Sequence, residues 1–115
     1  MIPYSKINKY RNIKVSVDGI KFDSKREAKR YCELKTLLIT GIIRGLELQK
    51  KFELQASFKF NDKTIRSINY VADFYYYDNE KKCYAVEDTK GFKTKEYLIK
   101  KKMFMYKYQL EINEI

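Results

Sequence analysis

Two runs rich in β-branched and aromatic residues, Ile68 to Tyr77 and Cys83 to Thr89, flank the polar stretch Asp78-Asn79-Glu80-Lys81-Lys82. Such a pair closes most simply as a β-hairpin, and the rest of the chain has to be arranged around it. Both runs interrupt their apolar pattern with acids. Period-two alternation puts Asp73 on one face with Val71 and Tyr75. On the second run it puts Asp88 and Lys90 on a face with Val86, and Glu87 on the other with Ala85.

Two carboxylates brought to one sheet face raise each other's cost of ionisation, so a cation normally stands between them. Oxygen ligands suit a hard ion, Mg²⁺ or Mn²⁺. The Asp88-Thr89-Lys90 step sets an ammonium beside that ion, where it stabilises charge on a phosphate or orients an attacking water. This is the residue set of metal-assisted phosphodiester hydrolysis. Spacing alone leaves an alternative open: Asp73 starts a bend, and Asp88 and Lys90 form a solvated surface pair.

The chain has 115 residues, enough for one compact domain with a modest core. No run of about 18 apolar residues is present, which predicts no membrane span. Met1-Ile2-Pro3-Tyr4 lacks the apolar core of a secretion signal, so a cytoplasmic location in a bacterial host cell is expected. Cys32 and Cys83 have no CxxC spacing and read as free thiols. Lys and Arg number 25 against 15 acids, a net charge of +10, and the excess lies on both sides of a neutral segment 51–90 that holds the acid pair. Basic flanks around a cation site are what drawing a phosphate backbone to that site requires. With no histidine, a Ser-His-Asp or Cys-His catalyst and an imidazole zinc site are excluded. The four glycines are scattered as turn residues and form no phosphate loop.

Residues 1–11 read as a flexible basic arm in which Lys6, Lys9 and Arg11 meet phosphates, and residues 12–115 as the folded domain. Asn12 to Phe22 turns at Asp18-Gly19, a two-residue hairpin signal. Asp23 to Thr40 reads as a helix with Ser24 as N-cap and Gly41 as its stop. Glu27 has two readings there. It completes a capping box with Ser24, and it also lies on the stripe of Tyr31, Leu34 and Leu38, from which a third carboxylate would reach the acid pair if the helix crosses the sheet. Ile42 to Glu47 reads as a turn and Leu48 to Phe60 as one strand. Thr94 caps a last helix with Tyr97, Leu98, Phe104, Met105 and Tyr108 inward and Lys95, Lys100, Lys102 and Lys107 outward. Leu110 to Ile115 reads as the closing strand. The fold class is α/β (α+β) with main elements in the order α-β-β-β-α-β.

That order, with a helix-borne acid, a strand acid and an acid-x-lysine on the next strand, resembles the PD-(D/E)xK phosphodiesterase superfamily of restriction-endonuclease-like folds. The strings VDGIKFDSKREAKRY, LELQKKFEL, YVADFYYYD, VEDTKGFKTKEY and KKKMF further resemble a small phage-associated domain of unassigned function in that superfamily. The resemblance covers nearly all of the chain past Tyr10. It implies a mixed central sheet flanked by helices, with Asp73 and Asp88 as metal ligands aided by the Thr89 carbonyl, Lys90 as the active-site lysine, and Glu27 completing the ligand set. Gln49 falls where related nucleases place a polar site residue. The superfamily's usual proline before the first acid is Ala72 here, which removes no ligand. Glu87 is a rival to Asp88, since a bulge would present it instead; only Asp88 has the spacing to Lys90.

The expectation is a Mg²⁺- or Mn²⁺-dependent DNA endonuclease, with branched-DNA and Holliday-junction resolvases among the relatives and a homodimer as the extension of that analogy. Its DNA contacts would come from Lys6, Lys9, Arg11, Lys93, Lys95, Lys100 and Lys102. The alternatives are a non-catalytic DNA-binding module or a phage protein-interaction module on the same fold.

Overall fold

The computed structural model describes residues 14–115, which divide into two units at the step from Thr40 to Gly41. The expected basic arm, with Lys6, Lys9 and Arg11, lies outside the described residues.

In the N-terminal unit, β1 (Val15–Val17) and β2 (Ile20–Phe22) pair antiparallel across Asp18 and Gly19, both at positive φ (53° and 75°). Two left-handed residues in succession are what a tight hairpin turn matching strand twist needs, and Asp-Gly accepts them at low cost. Helix α1 (Lys25–Ile39) begins where the Ser24 side chain accepts the Glu27 N–H at 3.1 Å. It packs on the ribbon through Tyr31, whose ring lies 5.0 Å from that of Phe22 and whose hydroxyl donates to Asp18 at 3.0 Å.

The C-terminal unit is built on a mixed sheet of β3 (Ile43–Gln55), β6 (Ile68–Asp78), β7 (Cys83–Asp88) and β8 (Ile112–Glu114), in that spatial order. β3, β6 and β7 run antiparallel to their neighbours and β8 runs parallel to β7. A parallel return needs a crossover, and α2 (Lys95–Tyr108) supplies it. Thr94 caps α2 by accepting the Tyr97 N–H at 3.1 Å, and Gln109 ends it in the left-handed conformation. The turn between β6 and β7 is held by Asp78, whose carboxylate accepts the N–H groups of Glu80 and Lys81.

Three local expectations are corrected. Ile42 to Glu47 is not a turn: β3 starts at Ile43, and Gly45 at φ 64° absorbs a register shift between Arg44 and Glu47. The run to Phe60 is not one strand: β3 ends at Gln55, and β4 (Phe58–Phe60) turns through Asn61 and Asp62 into β5 (Lys63–Ile65) as a separate exposed ribbon. Leu98 and Met105 of α2 are exposed, not inward. The buried stripe is Tyr97, Phe104 and the partly buried Tyr108, with Lys101 in the same line.

The core lies between α2 and the sheet. Phe104 is fully buried, with ring centres 4.9 Å from Phe52, 5.3 Å from Tyr70 and 5.2 Å from Tyr108. Tyr97, Val86, Leu54, Ala72 and Ile112 complete the cluster. Tyr70 and Ala72 belong to it, yet the partly buried Tyr75, the register partner of Val86, packs against it too, so the side-chain alternation of β6 changes phase between Ala72 and Tyr75. Phe74, Tyr76 and Glu87 are buried on the opposite face.

Among the described residues no helix is long and apolar enough to cross a membrane. Cys32 and Cys83 are exposed and unbridged.

Candidate active site: an acid pair at the end of the central hairpin

Asp73 sits where the phase of β6 changes, and Asp88 is the last residue of β7. The register pairs Phe74 with Glu87, so the next opposed positions are Asp73 and Asp88. On the flanks, β3 pairs Leu48 with Phe74 and Lys50 with Ala72, which sets Gln49 opposite Asp73, and β8 pairs Glu114 with Asp88. One row across the sheet therefore reads Gln49, Asp73, Asp88, Glu114.

Asp73 is held by donors on both oxygens. Gln49 Nε2 donates to Oδ1 at 3.0 Å, and the Thr89 N–H and hydroxyl both donate to Oδ2, at 2.8 and 2.6 Å. Gln49 reaches it from a backbone at φ 51°, a left-handed position that a glutamine occupies only at a cost in strain.

Asp88 is 2% exposed. Its Oδ2 accepts from the Tyr70 hydroxyl at 2.7 Å and lies 3.3 Å from Lys90 Nζ. Burial pushes its carboxyl up to about 6; Tyr70 opposes that shift, the neighbouring carboxyl of Asp73 reinforces it, and Lys90 opposes it again. The Tyr70 hydroxyl is in turn raised well above its ordinary value, first by burial and then by its bond to Asp88. Lys90 is steered by its neighbours as well, with Nζ 4.4 Å from the centre of the Tyr97 ring. The β7–β8 ladder continues past Asp88, since the Ile115 N–H donates to the Asp88 carbonyl and the Lys90 N–H to the Ile115 carbonyl.

Glu87 is not the partner of Asp73. It is buried on the other face, where it accepts a hydrogen bond from the Tyr76 hydroxyl. Glu27, also buried, belongs to the N-terminal unit, whereas Asp73 and Asp88 belong to the C-terminal one. Among the described residues no three His, Cys, Asp or Glu side chains gather as a metal-holding group, and the acids that meet in the C-terminal unit are a pair.

The sequence reading missed Tyr70, Tyr97, Lys101 and Glu114. Glu114 accepts from the Tyr97 hydroxyl at 2.6 Å and pairs with Lys93 and Lys101, each at 3.2 Å, which holds its carboxyl down to about 2, the Tyr97 bond contributing most. The signal was present in kind: a core aromatic that is Tyr and not Phe must find a partner for its hydroxyl. Of the lysines expected on DNA, Lys93 is tied to Glu114 and Lys100 to Glu96 at 3.0 Å, while Lys95 and Lys102 are exposed.

Replacing Tyr70 by phenylalanine is expected to move the Asp88 midpoint above about 6, because the lost hydrogen bond is the strongest of the contacts that favour its ionised form. A carboxyl-carbon NMR titration reads it, and an unchanged or lower midpoint contradicts the assignment.

These features define a mixed α+β protein with a carboxylate pair, an adjacent lysine and supporting tyrosines at the end of a mixed four-stranded sheet. The chain belongs to the family described as "Protein of unknown function (DUF1064)", which it matches over residues 7–114. No curated protein and no solved structure gives a match.

Proposed function

We propose that this chain is a divalent-metal-dependent DNA endonuclease on a restriction-endonuclease-like core. The observation that carries the reading is the buried Asp88 carboxylate, set opposite Asp73 in the register and 3.3 Å from Lys90. A fold gains nothing in stability from two acids forced together in partial burial, whereas a hard cation between them removes the repulsion.

The donor set fits Mg²⁺ or Mn²⁺. Magnesium dehydrates reluctantly and is commonly held by one or two carboxylates, with waters and substrate phosphate filling the remaining positions, so Asp73 and Asp88 suffice as the protein's share. In this reading the Thr89 carbonyl is a further ligand. When bound, the ion supplies charge stabilisation to the phosphate and acidity to the attacking water. Gln49 and Thr89 orient Asp73 through the three hydrogen bonds described above. Tyr70 fixes one oxygen of Asp88, leaving the other for the ion. Lys90, positioned over Tyr97, presents its ammonium to a phosphate oxygen or to the attacking water. The element order α1-β3-β6-β7-α2-β8 supports the same reading, being the order the superfamily resemblance implies.

Plasmid and four-way-junction DNA incubated with the protein tests it. Cleavage in Mg²⁺, none in EDTA and none by Asp73→Ala is expected. Equal cleavage by the variant defeats the assignment, and salt-sensitive DNA binding without metal-dependent cleavage favours a binding module in its place.

A further inference from the structure

The same sheet face carries a second feature that the nuclease reading does not use. Tyr84, Val86 and Asp88 alternate along β7, and Tyr75 and Tyr77 oppose Val86 and Tyr84 on β6. Beyond the acid pair the face therefore opens into a groove of about 270 Å³ lined by Arg44, Gly45, Glu47, Tyr75, Tyr77 and Tyr84. Tyr75 and Tyr84 stack nearly parallel at 5.2 Å, and Tyr77 meets Tyr84 edge-on at 5.0 Å. The Arg44 guanidinium lies 4.5 Å from the Tyr77 ring centre, and Lys50 is 5.7 Å from that of Tyr75. Tyr84 is 52% exposed. The acid lining the groove, Glu47, is paired with Lys50 at 3.4 Å.

We propose that this groove is a stacking platform for unpaired nucleotides of the DNA strand whose phosphate lies at Asp73 and Asp88. The proposal rests on the nuclease reading and narrows its substrate class to DNA with single-stranded character beside the cut. Three observations favour that occupant. The half-exposed Tyr84 and the partly buried Tyr75 and Tyr77 stand in a row beside cations, and aromatic rings beside cations are the elements from which sequence-tolerant single-strand sites are made, bases on the rings and phosphates on the cations. Arg44 already rests over an aromatic ring, so little side-chain freedom is left to lose when a base or phosphate joins it. The spacing also matches. At roughly 3.3 Å per strand residue, Tyr75 and Tyr77 lie about 7 and 13 Å along β6 from Asp73. That is a few nucleotides of one strand, ~3.4 Å apart where they stack as in a duplex and farther apart where the strand is extended.

The test is fluorescence anisotropy in EDTA, so that no strand is cut, with a labelled oligothymidylate and a blunt duplex of equal length at about 0.1 M salt. The wild type is expected to bind the oligothymidylate more tightly than the duplex. Tyr84→Ala should weaken single-strand binding about 5- to 150-fold, the scale of one lost base stack, with duplex binding unchanged. Tyr84→Phe, which keeps the ring, should bind as the wild type does, and thermal melts of both variants establish that they fold. A wild type that prefers the duplex or retains neither ligand overturns the proposal, as does Tyr84→Ala binding like the wild type or losing both ligands equally. Tighter binding of oligouridylate assigns the groove to RNA and overturns it too. Cleavage in Mg²⁺ is scored separately. Hydrolysis absent with Tyr84-dependent binding present defeats the nuclease reading alone; hydrolysis present with binding indifferent to Tyr84 defeats the platform alone.

Discussion

Replacing Asp88 by asparagine is expected to silence metal-dependent cleavage and, in the same protein, to raise the melting temperature at neutral and alkaline pH. The first effect should be at least about 100-fold, the scale on which loss of a single charge-stabilising group acts. The second follows from burial. The carboxyl titrates at 3.8 as an ordinary aspartate and at about 6 in the fold, so between those values the folded state holds the proton more tightly. Its contribution to stability is fully present below about 3.8 and is lost as pH rises through about 6. Above about pH 7 the fold carries an ionised, buried carboxylate at a cost of up to about 3 kcal/mol. Asparagine keeps the shape without the charge and should recover about 1–2 kcal/mol of this, part being lost with the Lys90 pair. Melts of both proteins read the result: a higher midpoint for the variant at pH 8 that vanishes below pH 4. A variant less stable at pH 8, or displaced equally at both pH values, contradicts the account.

The largest loss of stability is expected from Phe104→Ala. Phe104 is fully buried on α2 and touches Phe52, Tyr70 and Tyr108, so truncation opens a cavity among large aromatic side chains that cannot collapse into it. A cost of about 3–5 kcal/mol follows, a large share of the ~5–15 kcal/mol that holds a domain folded. Tyr70 packs on Phe104 and also bonds Asp88, so the same cavity should loosen the acid pair. Urea melts measure the first effect, and a loss below about 1 kcal/mol would show that α2 does not seal this core. Phe104→Leu, which leaves a smaller void, should fall between the two.

What was legible in the chain is what local chemistry decides. Asp18-Gly19, Ser24 and Thr94 marked a hairpin and two helix starts because turn and cap residues act within three positions of themselves. The pairing of β6 with β7, and hence the meeting of Asp73 with Asp88, followed from two strand runs joined by a short polar turn. The break at Gln55 was not legible, since alternation runs on through Phe58 and Phe60 and nothing in the pattern says that these pair with Lys63–Ile65 instead of the main sheet. Gly45 reads as a turn residue in isolation, although here it absorbs a bulge within a strand. On α2, one residue of rotation separates Leu98 and Met105 from the stripe of Tyr97 and Phe104, a distinction only packing makes. Within the site, Gln49 on Asp73 and Tyr70 on Asp88 are contacts 24 and 18 residues apart in sequence, set by register and by the phase change in β6. Glu87 and Asp88 were rivals until their faces were known, because a one-residue difference in phase exchanges them.

The central claim is that Asp73 and Asp88 share a hard cation, and a crystal soaked in Mn²⁺ tests it without any choice of substrate. Anomalous density between the two carboxylates, absent from an Asp88→Asn crystal treated alike, is the predicted result. A soaked crystal with the two carboxyls in their present contacts and no manganese beside them would contradict it.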